Sequence, residues 1–254
     1  MLLAIDVGNT HTVYGVWDGE RWRATWRRST SADDTEDQLA VWLKGMYDLA
    51  GLEFKATGVV CASVVPVLTS PITMLAQEWL GCQPVFIRSG VEVGLKVDYE
   101  PVTAVGADRI ANALGALERY APPAIVVDFG TATTFDCIDA DSVYVGGAIL
   151  PGVQVSAQAL VGRTAKLPAI EFTRPTRAIG KTTVESLQNG IMLGYAGAID
   201  ALTAKIKGEL GGKATVIATG GLGGQFFPLC ESIEVYEPNL TLDGLRIAYE
   251  RLSA

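Results

Sequence analysis

Two short stretches carry residues able to handle phosphate. In IDVGNTHTVY an apolar strand ends in Asp6, Val7 and Gly8, then meets Asn9, Thr10, His11, Thr12 and Val13 before turning apolar again. In VDFGTATTFD the same order returns with Asp128, Gly130 and Thr131. Glycine lets an anion approach the main chain, and backbone N–H groups with hydroxyl or amide side chains donate to phosphate oxygens. Taken alone, the first stretch fits either a plain chain reversal or a phosphate cradle, because Gly and Asn are ordinary turn residues. The second copy favours the cradle: a gapless superposition sets Gly8 on Gly130, Thr10 on Ala132 and Thr12 on Thr134. It implies an internal duplication with a period of about half the chain, and two such hairpins imply two domains facing each other across a cleft that could hold a polyphosphate.

A third stretch, GADRIANALGALERY, opens with Asp108 and Arg109 and continues with Ile110, Leu114 and Leu117 at helical spacing. An aspartate in a first helical turn is usually there because the dipole and the free N–H groups favour it, and serving as a base is the less common alternative. Arg109 could grip a carboxylate in bidentate fashion or stand as a solvated helix charge. Asp128, ending its strand, could cap local N–H groups or offer a hard oxygen to a cation. TTVE, residues 182–185, has the form of a capping box, with Thr182 as N-cap and Glu185 returning to its N–H. Tyr99 reads as a loop aromatic.

The elements that must position these groups alternate. Residues 2–28 read as a three-stranded antiparallel meander, 31–52 as a helix stopped by Gly51, GVVCAS and QPVFIRS as strands, and PVLTSPITMLAQEWLG as a helix between them. The second half again gives strands (VYVGGAIL), a long helix from 184 and a strand at ATVIAT. This order is that of an α/β layer structure.

The whole chain narrows the chemistry. With 254 residues and a net charge of −8, it is not expected to bind nucleic acid, since such a binder normally shows a basic face. The apolar tract GVVCASVVPVL is too short for a bilayer and holds Pro66, and no basic leader precedes the first strand, so the expectation is a cytoplasmic protein with no membrane partner. Four cysteines form no CxxC, and His11 is the only histidine. Catalysis must therefore rest on carboxylates, hydroxyls and main-chain donors.

The paired turns resemble those of the acetate and sugar kinase, heat-shock ATPase and actin superfamily. More narrowly, GADRIANA, DFGTATTFD, GGAILPG, RTAKLP (163–168), IGKTTVESLQNGI and ATGGL are similar, in order and over the whole chain, to type III pantothenate kinases. The resemblance implies two duplicated ribonuclease H-like, actin-like ATPase domains, 1–116 and 117–254, with mixed sheets flanked by helices, an ATP cleft between them and the last helix packing back on the first. It implies ATP-dependent phosphorylation of pantothenate to 4'-phosphopantothenate, the first step of coenzyme A synthesis.

Carried over by motif, Asp108 is the catalytic base. Asp6, Val7, Gly8, Asn9, Thr10, His11, Thr12, Val13 and Thr131 meet ATP, with Asp6 near Mg2+ through water. Tyr99, Gly106, Ala107, Asp108, Arg109 and Thr183 line the pantothenate pocket, and Asp128 ligates K+ or NH4+. ATGGL resembles the superfamily's adenosine turn, and Gly190, Gly194 and Gly197 fall at the family's homodimer interface. The chain departs from the family at His11, where asparagine is more frequent. Two other readings stand beside this one: a non-catalytic nucleotide-binding accessory factor of transcription, and a kinase for another small hydroxy compound.

Overall fold

The computed structural model describes residues 1–163, 168 and 170–253; most of the RTAKLP motif lies outside them. The chain divides into two compact units, one of residues 1–115 with 241–254, the other of residues 116–240. Each is an α/β structure with a mixed sheet.

The first unit begins with β1 (Leu2–Val7), β2 (His11–Trp17) and β3 (Trp22–Ser29), followed by α1 (Glu36–Leu49), β4 (Gly58–Ser63), α2 (Thr69–Met74), β5 (Pro84–Phe86), β6 (Lys96–Val97) and α3 (Ala107–Arg119). The sheet order is β3-β2-β1-β4-β5. β1 pairs antiparallel with β2 and parallel with β4, so the meander and the crossover strands share one sheet. α1 starts at Glu36, five residues inside the expected 31–52, because Thr35 and Gln38 form a reciprocal capping box that sets its first turn. The predicted helix at 66–81 is instead three short pieces, a 3-10 turn, α2 and a π turn over Leu75–Trp79. Pro71 inside it removes one N–H and breaks the regular ladder.

The core follows from alternation. Leu3, Ile5, Val7, Tyr14 and Val16 face α1 and α2, where Leu39, Leu43, Tyr47, Ile72 and Leu75 meet them. Each such side chain contributes about 1.5–3 kcal/mol by leaving water. The other face, that of Asp6, Val13 and Gly15, receives the last helix, described below.

The second unit holds β7 (Ala124–Phe129), β8 (Ala132–Ile138), β9 (Val143–Pro151), α4 (Val153–Gly162), α5 (Thr183–Glu209), β10 (Thr215–Thr219), α6 (Gly223–Phe226) and β11 (Val235–Tyr236). Its strands run in the order β9-β8-β7-β10-β11. The first two pairings are antiparallel and the last two parallel, as in the first unit. Ile125, Val127, Phe129, Phe135 and Val216 pack against Met192, Ala196 and Ile199 of α5. Among the described residues no helix is long and apolar enough to cross a membrane.

The chain closes with α7 (Leu240–Ser253), nearly all of it in the first unit. Trp22 Nε1 donates to Asp243 Oδ1 at 2.8 Å, Thr241 Oγ1 to Asn112 Oδ1 at 2.7 Å, and Arg246 lies over the Trp17 ring at 5.0 Å. Glycines make room for it: a Cβ on Gly15 would come within 2.9 Å of Leu242, and one on Gly58 would run into the Tyr249 ring.

Candidate active site

In the first unit, β1 delivers Asp6 to the carboxyl end of a buried strand, and the chain reverses through Gly8, Asn9, Thr10 and His11. Gly8 N donates to His11 O at 3.1 Å, so its part in the turn is conformational, and it is not among the N–H groups left for a phosphate. Asn9 and Thr10 stand exposed at the tip, and His11 is half-buried. The tip is pinned from behind by a residue the motifs did not flag. Thr30, one past β3, donates through Oγ1 to Gly8 O at 2.8 Å and through its N–H to Thr10 O at 2.9 Å, with Thr12 Oγ1 at 2.8 Å. Its only sequence signal is a threonine directly after an arginine-rich strand.

Asp108 and Arg109 open α3. Arg109 N donates to Asp108 Oδ1 at 2.9 Å, and a Cβ on Gly106 would lie 2.5 Å from that same oxygen. Glycine at 106 is thus a condition for the position of the carboxylate. Arg109 is 8 % exposed, which rules against a solvated helix charge. Tyr99, half-buried, lies on the segment between β6 and α3.

The second unit gathers Asp128, the second turn and two more glycines. Gly130 N donates to Ala132 O at 3.0 Å, and Gly152 N to Thr131 O at 3.0 Å. Val7 pairs with Thr12 across the first turn but Phe129 pairs with Thr133 across the second. The second turn is one residue shorter, so Thr133, and not Thr134, is the counterpart of Thr12. Both are buried, at 4 % and 0 % exposure, as a period of two requires once the slip is made. A Cβ on Gly152 would fall 2.7 Å from Gly130 O and overlap Thr131 O. One on Gly220, of ATGGL, would overlap Asp128 Oδ1 and sit 2.7 Å from Phe129 N. This unit therefore brings the Asp128 carboxylate, the Gly130–Thr131 turn and the ATGGL turn together. Thr183, exposed, is the first residue of α5.

Half of the expected capping box is present there. Thr182 Oγ1 accepts from Glu185 N at 3.1 Å, but the Glu185 carboxylate accepts from Lys181 N at 2.7 Å, one residue before the expected N–H, and from Arg177 at 2.7 Å. Those bonds hold the Glu185 carboxyl below its ordinary range, the Lys181 N–H first and Arg177 second.

Gly220 has φ +85, a region that costs an L-residue about 1–2 kcal/mol, and the blocked space adds to that cost. Gly220→Ala is expected to destabilise the protein by about 2–3 kcal/mol in urea unfolding. Gly224→Ala, whose Cβ would meet Tyr236 at 3.4 Å, should be near neutral. Equal effects of the two would remove the case for a tight Asp128–Gly220 approach.

Comparison with known structures places the fold. MreB 5 of Spiroplasma citri matches with a TM-score of 0.56 at 11% identity, over 99% of this chain and 96% of that one. A ROK hexokinase from Thermus thermophilus matches with a TM-score of 0.51 at 14% identity, over 99% of both. The fold is thus that of the actin-like ATPases and sugar kinases. The type III pantothenate kinase family model matches residues 2–205, and a type III pantothenate kinase of Moorella thermoacetica is 47% identical over 252 residues, 99% of each chain. The chain belongs to the type III pantothenate kinase family.

Proposed function

We propose that the protein transfers the γ-phosphoryl group of ATP to the hydroxyl of pantothenate, giving 4'-phosphopantothenate, the first step of coenzyme A synthesis. The observation that carries the phosphate chemistry is the repetition of one hairpin, strand, Asp, x, Gly and polar turn, at the same place in two sheets of like strand order. The same repetition supports reading the units as duplicated ribonuclease H-like domains. Family membership supports pantothenate as the acceptor and gives no support to a transcriptional accessory factor.

In this reading the N–H groups and side chains of Asn9, Thr10 and Thr131, all exposed residues, hold the phosphates. Gly8 and Thr30 fix the shape of the first turn. Asp108 orients the attacking hydroxyl and receives its proton, while Tyr99, Arg109 and Thr183 are the residues assigned to pantothenate. Among the described residues no group of three His, Cys, Asp or Glu side chains could enclose a metal. Mg2+, which keeps waters and rides on substrate phosphates, would be held by Asp6 through water. Bound there, Mg2+ would neutralise phosphate charge. Asp128 with nearby main-chain carbonyls is a hard oxygen set of the kind K+ or NH4+ takes.

A homodimer belongs to this proposal. Gly190, Gly194 and Gly197 are exposed along α5, and a Cβ on any of them would meet nothing within 4 Å. On the same helix Leu193 and Val184 are 36 % and 44 % exposed. Small residues at this spacing let another helix approach closely.

The test is ATP consumption by the purified protein with Mg2+ and pantothenate, in K+, NH4+ or Na+. Turnover that requires pantothenate and rises at least severalfold in K+ or NH4+ is the expected result. Turnover with other hydroxy compounds but not pantothenate would sink the acceptor assignment.

A further inference from the structure

The register of the first sheet sets a row of side chains on the face that carries Asp6. Asp6 pairs with Val13, and Val13 with Arg27, so the three lie side by side across β1, β2 and β3. His11 and Ser29 form the next row on that face, at the turn. Strands lie about 4.8 Å apart, which roots Arg27 about 10 Å from Asp6 and, diagonally, about 7–8 Å from His11. A guanidinium on its flexible stem can reach an anion seated on the turn from there.

The neighbouring arginines are engaged elsewhere. Arg23 meets Asp18 at 3.5 Å, and Arg28 meets Asp34 at 2.8 Å while lying 5.3 Å over the Trp42 ring. Arg27 is exposed and, among the described residues, takes part in no ion pair. Its charge is nonetheless felt at the turn: burial first, and Arg27 second, hold the His11 imidazole below its ordinary value.

We infer that Arg27 is a specificity-determining residue for the nucleotide, reading the charge of the polyphosphate seated on the first glycine turn. The inference rests on the proposed reading of that turn as a phosphate site. Main-chain N–H groups recognise oxygens by geometry and bring no net charge, so they discriminate weakly between three phosphates and two. A guanidinium at the rim adds a Coulomb attraction that grows with each phosphate and weakens with salt.

The test compares wild type with Arg27→Gln, Arg27→Lys and Arg21→Gln by calorimetric titration of ATP, ADP and adenosine. Arg21 is exposed on the turn before β3, and its replacement removes the same net charge. Arg27→Gln should weaken ATP about fivefold, ADP less and adenosine not at all. Lysine should restore most of the loss, Arg21→Gln should match wild type, and the difference should shrink in 0.5 M salt. Because His11 is the sole histidine, its imidazole resonances give a separate readout, and its titration should move up toward the ordinary value in Arg27→Gln. Equal ATP affinity in wild type and Arg27→Gln, or an equal loss for adenosine, overturns the inference alone. Absence of ATP binding by the wild type overturns the phosphate reading and the inference together.

Discussion

Asp108→Asn is expected to lower kcat by about a hundredfold or more, the range lost when a positioned general base is removed, while ATP affinity and melting temperature stay at wild-type values. The substitution is nearly isosteric. An amide oxygen can still accept from Arg109 N, as Asp108 Oδ1 does at 2.9 Å, and Gly106 still leaves room for it. What the amide lacks is the ability to receive the hydroxyl proton. A merely structural aspartate at the start of α3 would show the opposite pattern, with lower stability and turnover kept in proportion to folded protein. Single-turnover kinetics with saturating ATP and pantothenate, beside thermal melts, separates the two. Turnover within a few-fold of wild type would end the base assignment.

The largest expected loss of stability comes from Gly244→Ala. A Cβ at 244, on α7, would overlap Ala111 O and lie 2.8 Å from Ala111 Cα, both backbone atoms of α3. No side chain can swing aside there, so one helix must move, at a cost of about 3 kcal/mol or more. For a chain of this size that is a fall in melting temperature of about 6–12 °C. Gly45→Ala is the internal contrast: it sits in α1 with nothing within 4 Å of its new Cβ, and should stabilise by about 0.5–1 kcal/mol. Because α3 also begins with Asp108, surviving Gly244→Ala protein should show a lower kcat with ATP affinity held. A melting temperature within about 1 °C of wild type would mean that the two helices adjust freely.

Motif and periodicity carried much of this into view. GADR, DFGTATTFD and GKTTVESLQ were sufficient for the family, and the alternation in IDVGNTHTVY gave β1 and β2. What stayed hidden depends on which partners the folded chain supplies. Nothing in a local pattern sets the length of a loop, so the second turn's missing residue shifted Thr134 into the place of Thr133. Glu185 fits a capping box by spacing, yet Lys181 N–H and Arg177 compete for the same oxygens. Gly152, Gly220 and Gly244 look like any glycine until the atoms that exclude a side chain are known. Thr30 is silent for the same reason, since its hydrogen bonds reach back about twenty residues in sequence to the turn it braces.

The last helix has a further consequence, for biosynthesis. The core under α3 and the β2–β3 hairpin is covered by residues 241–253, so the first unit to leave the ribosome cannot finish folding until the final helix follows it. The usual order, in which the N-terminal domain folds while the rest is being made, is inverted: residues 116–240 form an uninterrupted unit and can close first. Until α7 is made, the first sheet keeps one face uncovered, with Trp22 and Gly58 still lacking their α7 neighbours Asp243 and Tyr249. The interval between the synthesis of β5 and that of α7 is thereby the period in which the nascent first unit exposes apolar surface.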